Sequence, residues 1–146
     1  MKLAARTMLA TALLACAGVV GAQDHPYSEG PVVEVTAVKL QDGQFENYLQ
    51  FLDTGWKSVM EGAKKAGIVK DYAVYGAEAH NPQEADLYLV VTYPNMAVFD
   101  GMQKRMDAIT AKATGMTVPQ SEEASGKRTV MRTILGQELL RELRLR

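Results

Sequence analysis

The chain has 146 residues, a formal net charge of −1 and a single cysteine, with 47% hydrophobic side chains. That length is one domain's worth. One cysteine excludes both a disulfide framework and a paired-cysteine metal site.

Residues 1–22 read as a secretory signal peptide. Lys2 and Arg6 make a basic start, Thr7 to Val20 is apolar without a charge, and Val20-Gly21-Ala22 supplies small residues for cleavage. The expected location is therefore periplasmic. A second reading stays open: Leu13-Leu14-Ala15-Cys16 resembles a bacterial lipobox, in which Cys16 would be acylated and the mature protein lipid-anchored. Either way the mature chain holds no apolar run long enough to span a membrane.

Charge is unevenly spread. Residues 23–126 carry 8 basic and 15 acidic side chains, whereas 127–146 carry 6 and 2. A basic tail can seek nucleic acid or anionic lipid, but in an exported protein its own acidic body is the nearer partner. No nucleic acid is expected.

Gln23 to Pro31 is a polar lead-in, and 32–146 form the single domain. Val32 to Leu40 alternates as a strand. Asp42-Gly43 turns the chain, and Phe45, Tyr48, Leu49, Leu52, Trp56, Val59, Met60 and Ala63 then follow helical spacing. Thr54-Gly55 in the middle of that run predicts a kink, and Trp56 belongs to the core stripe. Ile68 to Ala77 is a second strand, 78–85 a polar loop, and Leu87 to Tyr93 the most apolar strand, ended by Pro94. Asn95 then caps a helix with Phe99, Met102, Met106, Ile109 and Ala113 on its buried side. Residues 114–127 show no clear period and read as a mobile segment or a lid. Arg128 to Leu135 is a fourth strand. The tail from Gln137 fits either a short helix or an extended arm.

The order is βαββαβ. It predicts an α+β fold with a four-stranded antiparallel sheet and two helices on one face. This order over 32–135, with the third strand running through Pro94-Asn95 into Met96-Ala97-Val98-Phe99, resembles the ferredoxin-like fold. More narrowly it is similar to the dimeric α/β-barrel superfamily, which includes antibiotic-biosynthesis monooxygenases and NIPSNAP-like proteins. The resemblance implies that two sheets pair and enclose a groove. Physics points the same way, because a sheet covered on one face leaves the other open. We place Val32, Glu34, Thr36 and Val38 on that open face together with Tyr88, Val90 and Thr92. It is too apolar to stay wet, and a homodimer is the commonest way to cover it.

Strong catalytic motifs are absent. His80 lies among Glu78, Glu84 and Asp86, whose atoms can ligate a cation, but such a loop is more often solvated surface; no metal and no cofactor are expected. The groove candidates for a small apolar or anionic ligand are Glu34, Thr36, Tyr88, Thr92 and Arg132, with Arg132 expected beside Glu34. A cross-strand Glu34–Arg132 pair that only stabilises the sheet is the structural alternative. Three functions follow: an exported dimeric binding protein, a cofactor-free oxygenase acting on an aromatic substrate in the groove, or a lipid-anchored envelope protein.

Overall fold

The structure, a computed structural model, describes residues 25–146. The expected signal peptide and Cys16 lie outside the described residues. Strand β1 runs Tyr27–Leu40, helix α1 Phe45–Phe51, a π-helical turn Leu52–Trp56 and helix α2 Lys57–Lys65. Strands β2 (Asp71–Gly76) and β3 (Leu87–Tyr93) follow, then a 3-10 turn Met96–Phe99 and helix α3 (Met102–Thr114). Helix α4 (Val118–Lys127), a 3-10 turn Arg128–Val130 and strand β4 (Arg132–Leu145) complete the chain.

The sheet order is β2-β3-β1-β4 and every pair is antiparallel. This is the expected ferredoxin-like α+β arrangement. β3 alternates strictly, with Leu87, Leu89, Val91 and Tyr93 buried and the residues between them half-buried. Its buried side, with Val32 and Val38 of β1, meets Tyr48 and Leu52 at one end and Met60 and Ala63 at the other. Met102, Met106 and Ile109 of α3 pack on the same cluster.

The kink expected at Thr54-Gly55 takes the form of the π-helical turn, so the helix widens without breaking. Thr54 Oγ1 donates to the Gln50 carbonyl at 2.8 Å, a back-bond that competes with the regular ladder. A Cβ at Gly55 would stand 3.1 Å from Phe51 Cε2, so glycine leaves room for that ring.

Four expectations about the elements are corrected. Strand β1 begins at Tyr27 within the supposed lead-in, because Tyr27 to Glu29 pairs with Leu143 to Leu145. Ile68 and Val69 do not open β2; they are 1% and 3% exposed and plug the core beneath the α2–β2 link. The segment 114–127 is not irregular but contains α4. There the Gln120 side-chain oxygen accepts from the Thr117 backbone N–H at 2.9 Å, closing a capping box with Pro119 in the first turn. Of the two readings of the tail the extended one holds, and the fourth strand opens later than expected: β4 starts at Arg132, not Arg128, and continues to Leu145, held along its length by β1. Its register shifts between Ala37 and Val38, where Leu135 is the extra residue.

Candidate functional site

Residues directly opposite in an antiparallel sheet share a face. Three rows therefore cross the uncovered face: Asp71, Thr92, Val33 and Leu140; Ala73, Val90, Val35 and Glu138; and Tyr75, Tyr88, Ala37 and Gly136. Three valines, two tyrosines, two alanines and a leucine make up most of these rows, with Asp71 and Glu138 on the two edge strands. Leu140 and Tyr75 are 49% and 58% exposed. Beside this face β4 presents a free edge fourteen residues long, exposed at every position after Arg132. Such an edge is a ready template for pairing.

Register divides the five groove candidates. Tyr88 and Thr92 lie on the open face, as expected. Glu34 sits opposite Val91, and Thr36 opposite Leu89, so both point to the helix side with Val32 and Val38. The expectation that all of these share the open face is off by one residue on β1, enough to turn every side chain over. Arg132 is opposite Leu40 while Glu34 is opposite Leu139. Six residues of strand separate them, roughly 20 Å, so neither the ligand pair nor the stabilising pair forms.

Glu34 instead meets Tyr93. The Tyr93 hydroxyl stands 3.5 Å from Glu34 Oε2, the outer limit of a hydrogen bond. Burial pushes the Tyr93 hydroxyl up to about 12, and the Glu34 charge adds to this. The ring also lies 4.8 Å from Phe99.

Arg132 is 9% exposed and has Arg128 for a neighbour. The Arg128 guanidinium carbon lies 4.3 Å from the centre of the Phe51 ring. Burial, and then the Arg132 charge, draws Arg128 below the usual arginine range. Nε of each arginine is buried without a hydrogen-bond partner. Arg128 also lines a cleft of about 560 Å³ with Phe51, Trp56, Val59, Ala113 and Met116. Sequence reasoning missed Arg128, Phe51 and Tyr93. The available signal was the four-residue spacing of two arginines just after an unassigned segment.

Around the 78–85 loop, Asp86 and Glu84 already have hydrogen-bond partners. Asp86 accepts from Lys39 Nζ at 2.8 Å and from the Leu40 N–H at 2.7 Å. Glu84 accepts from the His80 N–H and the Asn81 side chain. No three of His, Cys, Asp or Glu gather among the described residues, and no described helix is long and apolar enough to cross a membrane.

No protein-family model matches the chain, and no curated protein matches it. Solved structures do. HapK from Hahella chejuensis matches with a TM-score of 0.50 and 12% identity, over 76% of this chain and 91% of its own. A NIPSNAP-family protein of unknown function from Agrobacterium tumefaciens matches at 0.51 and 13%, over 84% and 96%. A dimeric ferredoxin-like protein from an uncultured marine organism matches at 0.50 and 10%, over 82% and 90%. At these identities the shared property is the fold.

Proposed function

We propose that the chain is an exported binding protein that works as a homodimer. Its two open sheet faces would enclose a groove for a small apolar or anionic ligand or for a partner protein. The observation that carries this reading is the open face itself. Val33, Val35, Val90, Tyr88, Tyr75 and Leu140 lie on it, and the helices pack on the opposite side. A second copy covers such a face by twofold symmetry, with the long β4 edge at the seam. The marine protein of similar fold is described as dimeric, which supports the same arrangement here. Export is supported by the basic start, apolar run and small residues of 1–22.

Sedimentation of residues 23–146 tests the dimer: two chains per particle are expected at micromolar concentration, and a monomer at the highest soluble concentration rejects it. N-terminal analysis after expression of the full chain in a bacterium tests export. A periplasmic product beginning at Gln23 is expected. An uncleaved cytoplasmic chain removes export, and an acylated Cys16 replaces cleavage at Ala22 by lipid anchoring.

A further inference from the structure

Arg128 and Arg132 present an electrostatic anomaly. Neither guanidinium donates a hydrogen bond or meets a carboxylate among the described residues; Arg132 is nine-tenths buried and Arg128 half-buried, and of their nitrogens only the Nε of each is sealed from solvent. A buried charge ordinarily has a partner, since burying one alone is costly, and setting two like charges together raises that cost. Every carboxylate ion pair in this part of the chain lies elsewhere; Glu123, for example, is taken by Lys127 at 2.7 Å.

The Phe51 ring relieves only part of this. A ring face stacked on a guanidinium attracts its charge, but the N–H donors lie in the guanidinium plane and point past the ring. Phe51 is itself held in place, because Gly55 in the π-helical turn leaves the space that a side chain would take. π-helical turns of this kind frequently mark functional positions. The cleft that begins here is bounded by the π-helical turn, α3 and α4, and its wall is apolar apart from hydroxyls and the Arg128 charge. About 560 Å³ lies within the range of small-molecule sites.

We infer that Arg128, with the Arg132 charge behind it, receives the carboxylate of a small organic acid whose apolar body fills the cleft beside Trp56. A carboxylate offers two acceptor oxygens in the spacing of a guanidinium edge, and a negative charge at Arg128 offsets the repulsion it feels from Arg132. The site lies on the helix side of the sheet, away from the groove proposed above, and depends neither on dimerisation nor on export.

Trp56 is the only tryptophan in the chain and lines the cleft, so its fluorescence reports occupancy directly. The test titrates residues 23–146 with 4-nitrobenzoate, a quenching aromatic acid, and in parallel with 4-nitrobenzamide, which has nearly the same shape and no charge. Saturable quenching by the acid is expected, with the amide weaker by about tenfold or more. Arg128→Gln should raise half-saturation for the acid by about tenfold and leave the amide unchanged. If Arg128→Gln does not fold, the comparison of the two ligands on the natural sequence decides alone. Equal binding of acid and amide, or no saturable quenching by the acid, overturns the proposal, as does a folded Arg128→Gln protein with unchanged affinity.

Discussion

Gly62 of α2 and Ile109 of α3 meet so closely that a Cβ built on Gly62 would stand 2.7 Å from Ile109 Cγ2. The two helices approach at a place in α2 where there is no side chain to hold them apart. This contact sets the spacing of the layer that covers the sheet.

Replacing Gly62 by alanine therefore opposes two effects. Helix propensity gains about 1 kcal/mol, while forcing a methyl into a packed contact costs about 1–3 kcal/mol. A net loss of about 1 kcal/mol is expected from the balance. Gly126 in α4 is the control, because a Cβ there would meet nothing within 4 Å and its backbone is ordinary helix. Gly126→Ala should gain up to about 1 kcal/mol. Urea unfolding of both variants checks the contrast, and a stabilised Gly62→Ala would show that the helices separate easily.

Much of this architecture is legible in the chain, and the failures have physical causes. β3 reads correctly because Leu87 to Tyr93 alternates between a buried and a half-buried face, and Pro94 cannot extend a ladder. The helix within 114–127 escapes a sequence reading because α4 has little apolar stripe to detect. Its true signal is local, the Thr117-x-x-Gln120 box with Pro119. The tail stays open between helix and extended arm in the sequence because Leu139, Leu143 and Leu145 lie on one side of a strand whose two faces are both exposed, so burial does not separate the two periods. The candidate site was half legible. Tyr88 and Thr92 could be paired from β3 alone, but the side to which Glu34 points depends on a register between strands far apart in sequence.

Asp86 ties the start of β3 to the end of β1 through Lys39 and the Leu40 N–H, and the two charged side chains are each 27% exposed. The Lys39 hydrogen bond, with help from the Leu40 N–H and against the effect of burial, holds the Asp86 carboxyl below its ordinary 3.8. A carboxyl lowered by folding stabilises the native state fully above 3.8, and that contribution is lost as pH falls through the lowered value. Asp86→Asn should cost about 1–2 kcal/mol at neutral pH. The difference from the natural sequence should shrink as pH drops below 3.8. Urea midpoints measured from neutral to strongly acidic pH check this; a gap independent of pH would assign the loss to packing.

Tyr72 and Tyr93 should resist alkaline titration. The Tyr72 hydroxyl donates to Glu61 Oε1 at 2.5 Å, and this bond, with burial, pushes it up to about 12. Tyr93 reaches about 12 chiefly through burial. A raised tyrosine contributes stability that is complete below its unfolded value of 10 and is lost as pH rises toward the folded one. Phenolate absorbance should therefore rise in two stages in the native protein. Tyr72→Phe should remove one tyrosine from the late stage, and Glu61→Gln should move that tyrosine toward the early one. A late stage that Tyr72→Phe leaves whole would mean that Glu61 does not hold the hydroxyl in solution.

Leu140 offers the sharpest test of pairing between copies. It shares a row of the open face with Val33 and Thr92, stands on the edge strand, and is 49% exposed in the single chain. An aspartate there costs a lone chain little, because its carboxylate stays in water. In a twofold dimer through this face the same change is introduced twice, next to Glu138 and its copy, in a region from which water is excluded. Leu140→Asp should therefore leave the unfolding midpoint of the monomer within about 0.5 kcal/mol of the natural sequence. The dissociation constant should rise by about a hundredfold, the weight of one central apolar contact. Sedimentation and urea unfolding of the same sample separate the two effects. A variant that stays fully dimeric would move the seam off this face, and one that unfolds would show that β1 alone cannot hold β4 in place.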